Sequence, residues 1–188
     1  KFKSLCEDGT EYRGLPTGLN YIKSLGVTHV QFMPLTDFST VDDFKPELNY
    51  NWGYDPRQYL SLKGSFSSDP DHPYVRMKEF KELVACLHRN HLRVTLDVVF
   101  NHVYDVAETA FDCLVPYYYF RYNEEGYMSN GSYCGNDFAS EMPMASRYLV
   151  YVIRSLMQIY GIDGFRFDLM GIIDVATMNK IRNEAIRN

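Results

Sequence analysis

The chain has 188 residues, 46% of them hydrophobic, enough for one folded domain with a sizeable core and unlike a disordered tail or linker. Its formal charge of -5, from 19 Lys and Arg against 24 Asp and Glu, excludes a nucleic-acid surface built on clustered cations. No apolar stretch reaches membrane-spanning length, and Lys1-Phe2-Lys3-Ser4 lacks a signal-peptide h-region, although a chain that opens in mid-pattern gives that absence no weight.

A helical period followed by a short strand recurs along the chain. Residues 17–25 carry Leu19, Ile22 and Leu25 on one face, Gly26 stops the helix, and 27–33 reads as a strand ended by Pro34. Residues 75–91 set Met77, Phe80, Leu83, Val84 and Leu87 on one face, and the strand 92–98 follows. A third helix begins near Met144, runs through Leu149, Val152, Ile153, Leu156 and Ile159, closes at Gly161 and leads into the strand 162–168. A last helical pattern starts near Asp174. This alternation predicts an α/β fold with a parallel sheet and helices on its faces. The polar residues fall at carboxyl ends of strands, where such sheets and barrels place their sites: Pro34 to Asp37, Asn101-His102 and Asp168. The connections 37–75 and 103–144 are long enough to read as functional loops.

Cys6, Cys86, Cys113 and Cys134 have no CxxC spacing, so metal ligation is not expected. The simplest reading is four free thiols in a reducing compartment, which favours a cytoplasmic over a secreted protein; a bridge from Cys113 to Cys134 is the alternative. The 16 tyrosines suit hydroxylated ligands such as sugars, and equally suit core and loop packing.

In an extended strand Arg166 and Asp168 share one face while Phe165 and Phe167 share the other. A carboxylate beside a permanent cation stays ionised, as a nucleophile requires, yet an isolated Arg-x-Asp fits a structural ion pair as well. Asp97 lies inside its strand with Asn101-His102 just beyond the end, a pair that serves equally as a cap or a ligand site. Tyr50-Asn51-Trp52-Gly53-Tyr54-Asp55-Pro56 gathers aromatics around a glycine in the first long loop, which also fits a packed turn.

Together, the 50–56 block, Asp97-Val98-Val99-Phe100-Asn101-His102 and Gly164-Phe165-Arg166-Phe167-Asp168-Leu169-Met170-Gly171 resemble the type I pullulanases of the α-amylase superfamily, glycoside hydrolase family 13. Phe100 departs from the tyrosine usual there. The resemblance implies a partial (β/α)8 TIM barrel, about strands 2 to 4 with their helices and long loops, so that residues 1–188 form an N-terminal half of the barrel domain, incomplete at both ends. It implies a debranching enzyme that cleaves α-1,6-glucosidic bonds of an α-glucan, with Asp168 as nucleophile and Arg166 holding it ionised. His102 and Tyr54 would bind and stack the sugar at the cleavage point, Asp97 and Asn101 would brace that floor, and Trp52, Asn136 and Met170 would lie around the pocket. Asp137 and Leu169 are weaker candidates for its walls.

A retaining glycosidase needs a second carboxylate about 5 to 5.5 Å from the nucleophile, and no partner is identifiable in this sequence. The missing acid is expected on later barrel strands, and the isolated chain is expected to be inactive. No organic cofactor is implied. Calcium is possible through Asn101, but the remaining oxygen ligands have no candidates. Neither a nucleic-acid nor a membrane partner is expected; the partners would be the α-glucan and the rest of the barrel. An isoamylase or glycogen-debranching relative, or a non-catalytic carbohydrate-binding or transporter-accessory member, are the alternatives.

Overall fold

A computed structural model describes residues 1–187. Its first elements are a 3-10 turn over Phe2–Cys6 and a small antiparallel hairpin of β1 (Glu11–Tyr12) and β2 (Leu15–Pro16), neither foreseen from the sequence. The repeating units follow: α1 (Gly18–Ser24) into β3 (His29–Phe32), α2 (Pro73–Arg89) into β4 (Arg93–Val98), and α4 (Pro143–Tyr160) into β5 (Gly164–Phe167). A short α3 (Ala110–Leu114) interrupts the second long loop, and α5 (Val175–Arg187) follows β5. Among the described residues no helix is long and apolar enough to cross a membrane.

The strands form a three-stranded parallel sheet in the order β3-β4-β5. β4 is the middle strand, and Val94, Leu96 and Val98 are almost wholly buried under the apolar faces of α2 and α4. Phe32, Phe165 and Phe167 extend that packed face, whereas His29, Gln31 and Arg166 on the opposite face are exposed. The helices therefore cover one face of the sheet and not both. The strands are also shorter than the apolar runs that predicted them, because their first residues serve as turns off the preceding helix: Gly161 ends α4 in the left-handed region at φ 74°.

Both long loops are tightly held. In the first, the Lys63 ammonium is buried and lies 2.8–3.0 Å from the Phe38 and Val41 carbonyl oxygens and the Asp43 carboxylate, with Asp37 at 3.4 Å. Bridges Thr36↔Leu62 and Phe38↔Pro56 fold the loop back on itself. In the second, the buried Asp137 carboxylate accepts from the Ser129 hydroxyl and the Gly131 and Ser132 amides. Burial opposes ionisation of Asp137, and these donors outweigh it, holding its pKa below the usual carboxylate range.

The cysteine expectation is corrected. Cys6 and Cys86 form a disulfide, with Cα atoms 6.5 Å apart, while Cys113 and Cys134 are free. The first 3-10 turn packs against α2 and brings together residues 80 apart in sequence, a proximity that spacing cannot reveal. Four free thiols thus no longer argue for a reducing compartment.

The disulfide ties the first residues to the main core, so Cys6→Ser should lower unfolding stability by about 2–4 kcal/mol. Urea unfolding with and without reductant measures this, and coincident curves for the oxidised parent and the variant would refute it.

Candidate active site

The site is built on the register of two parallel strands. Asp97 of β4 lies opposite Arg166 of β5, so their side chains emerge side by side on the open face. The amide of Asp168 donates to the Val98 carbonyl, which continues the ladder by one residue and keeps Asp168 on that face. The chain then turns sharply, with Leu169 at φ 45°, a strained value for a branched residue at the end of a strand.

The sequence predicted an Arg166–Asp168 pair; the structure has a bridge. Arg166 Nη1 lies 2.8 Å from Asp168 Oδ1 and 3.0 Å from both oxygens of Asp97. Asp97 is nearly buried, whereas Arg166 is 44% exposed and Asp168 17%. Hydrogen bonding to Asp97 first, and to Asp168 next, raises the guanidinium pKa still further. The Tyr54 hydroxyl donates to Asp97 Oδ2 at 2.8 Å. Burial, followed by that bond to a carboxylate, pushes the phenol up to about 12, so it remains a donor at any working pH.

Asn101 links the second motif to the first. Its Nδ2 donates to the Asp168 carbonyl at 2.9 Å, and its Oδ1 accepts from His102 Nδ1 at 2.5 Å. Burial lowers the His102 pKa, against the opposing pull of Asp55 and Asp168, and favours a neutral ring. The backbone here is held by its surroundings: the Phe138 amide donates to the Asn101 carbonyl, the Tyr59 hydroxyl to the His102 carbonyl, and the Asn136 side chain bonds both the N–H and the C=O of Val103. Asn136 is thus a buried brace under the floor, not a wall with a free amide. Phe100 packs against Tyr59 and Phe167 at ring-centroid distances of 5.1 and 5.9 Å, so the missing hydroxyl falls at an apolar position.

Within the 50–56 block, Asn51 accepts from the Gly53 amide and donates to Thr40 and Asp55, closing the turn that carries Tyr54. Gly53 sits at φ 94°, and a Cβ there would meet the Pro34 carbonyl oxygen at 2.8 Å, so only glycine fits. Trp52 and Met170, 63% and 54% exposed, stand out from the cluster, as does Leu169. Sequence reasoning missed Tyr59 and Lys63, which lie in no chemically suggestive spacing, and it gave Asp55 no role of its own within the 50–56 block.

Both polar atoms of the Asn101 amide are taken by His102 and Asp168, and among the described residues no group of three or more His, Cys, Asp or Glu could hold a metal.

The depressed His102 pKa has a definite pH consequence. The unfolded imidazole takes up a proton near pH 6.5 and the folded one resists it, so its stabilising contribution is complete above about pH 6.5 and is lost as pH falls below that value. The expected result is that His102→Gln flattens the slope of unfolding free energy between about pH 6.5 and 5; an unchanged slope would contradict the assignment.

Comparison with known proteins fits this geometry. The family described as "Alpha amylase, catalytic domain" matches residues 3–114. The chain is 44% identical over its whole length to a pullulanase of Bacillus subtilis, spanning 26% of that protein, and 34% identical over 86% of its length to the chloroplastic pullulanase 1 of Arabidopsis thaliana, spanning 20%. The chain therefore spans about a quarter or less of these relatives. The crystal structure of a Paenibacillus barengoltzii pullulanase, complexed with maltohexaose and alpha-cyclodextrin, matches all of this chain and 30% of its own, with a TM-score of 0.97 and 48% identity. A pullulanase type I from Bacillus subtilis, complexed with maltose, matches with the same TM-score at 44% identity. The chain belongs to the alpha-amylase catalytic-domain family, and its likeness within that family is to the type I pullulanases.

Proposed function

We propose that this chain is the nucleophile-bearing portion of a debranching glycoside hydrolase that cleaves α-1,6-glucosidic bonds in pullulan, amylopectin or limit dextrin, or glycogen. In this reading β3, β4 and β5 are about strands 2 to 4 of a (β/α)8 barrel, and residues 1–188 belong to the N-terminal half of its catalytic domain. One-sided helical cover and an open polar sheet face support it, since in such a barrel the helices ring the outside.

The observation that carries the proposal is the guanidinium of Arg166 held between Asp97 and Asp168 at the carboxyl edge of the sheet. Asp168, the more accessible of the two carboxylates, attacks the anomeric carbon and forms a glycosyl ester as the bond to the leaving oxygen breaks. A carboxylic acid from another part of the protein gives that oxygen its proton; water then hydrolyses the ester, with the same group acting as base. Asp97 cannot be this acid, because both its oxygens accept from Arg166 and one also from Tyr54. Neutral His102 hydrogen-bonds the sugar hydroxyls, and Tyr54, fixed through its hydroxyl, offers its ring to the sugar face. Asn101 and Asn136 hold this floor, and exposed Trp52 and Met170 form its rim. The identities of 44% to a pullulanase and 31% to an isoamylase favour the pullulanase reading.

In the full-length protein, Asp168→Asn should leave glucan binding within about threefold while turnover falls by at least about 10³-fold; unchanged turnover would end the nucleophile assignment. The 188-residue polypeptide alone should release no reducing sugar from pullulan, and measurable release would show that it contains its own acid.

A further inference from the structure

The second long loop forms a cavity of about 510 Å³ that shares no residue with the carboxylate cluster. Tyr117, Tyr118 and Tyr122 line it around Arg121 and Glu141, with buried Phe120 beneath. Its size is that of a small-ligand pocket. Arg121 grips Glu141 through Nε at 3.0 Å and Nη2 at 2.7 Å, so the charges in the pocket cancel. Such a floor recruits neither an anion nor a cation, yet keeps oxygens and N–H groups for hydroxyls. The tyrosines supply flat apolar faces. Tyr118 is fixed because its hydroxyl accepts from the Met144 amide at the start of α4. The Tyr117 ring lies 5.0 Å from that of Tyr122 and is 76% exposed. Its backbone is also strained, at φ 63°, a value costly for a bulky residue and relieved by glycine. A strained, exposed tyrosine beside a neutral polar floor suits a flat, polyhydroxylated, uncharged ligand.

We propose that this pocket is a second carbohydrate-binding site, which holds a stretch of α-glucan outside the cluster around Asp168. The choice of α-glucan rests on the function proposed above; the pocket's preference for a neutral sugar does not. The loop leads from Tyr122 back to Phe138, whose amide bonds the Asn101 carbonyl, so a chain held here is tethered to the same loop that braces the site floor.

Calorimetric titration of the full-length protein with maltohexaose tests this, using Tyr117→Gly, the double variant Tyr117→Ala/Tyr122→Ala, and Tyr54→Ala. The parent should bind at two sites, and Tyr54→Ala should retain one of them. Tyr117→Gly should weaken the other about tenfold without lowering the melting temperature, since it relieves strain as it removes the ring; the double variant should abolish it. A single parental site lost only in Tyr54→Ala would overturn the second site and leave the proposed function standing. A single site lost only in the tyrosine-loop variants would do the reverse. Absence of any binding would overturn both, and two sites unaffected by the loop variants would overturn the second site.

Discussion

The active-site geometry depends on one guanidinium. Arg166 is placed beside Asp97 by the β4–β5 register and beside Asp168 by the two-residue period of its own strand, so a single nitrogen bonds two carboxylates. Without that cation, the carboxylates would repel one another at the edge of the sheet. Tyr54 completes the arrangement by donating to Asp97, which brings the first long loop onto the end of the second strand. The cluster thus couples three segments far apart in sequence, and the loops owe their order partly to it.

Rigidity around the cluster comes from committed hydrogen bonds more than from helices. Residues 101–103 leave the sheet as irregular chain, and buried irregular backbone is costly unless its polar groups are paired. Phe138, Tyr59 and Asn136 supply those partners. Lys63 does the same for the first loop and Asp137 for the second, each a buried charge surrounded by oxygens or by donors of opposite sense. A site on such loops is held with little freedom, which suits chemistry that depends on distances of a few tenths of an ångström.

The abundant tyrosines divide between these tasks. Tyr59 and Tyr148 are packed among Phe100, Phe111 and Phe138 and hold loop to helix. Tyr54 serves the cluster, and Tyr117 and Tyr122 line a separate pocket. Composition pointed to both packing and sugar recognition without separating them, because a tyrosine's task is set by what surrounds its ring.

Sequence by itself determined the helix-strand alternation, the apolar faces of α2 and α4, the shared face of Arg166 and Asp168, and the family through its three motifs. These are local: a period of 3.6 or 2 and a run of adjacent residues need no knowledge of the rest of the chain. Only the tertiary structure decided that Arg166 bridges to Asp97, that Asn136 braces Val103, that Cys6 meets Cys86, and that the helices cover one face of the sheet. Each of these joins residues far apart along the chain, by 33 positions for Asn136 and Val103, 69 for Arg166 and Asp97, and 80 for the cysteines. Their pairing is set by strand register and helix packing, which no spacing in the sequence encodes.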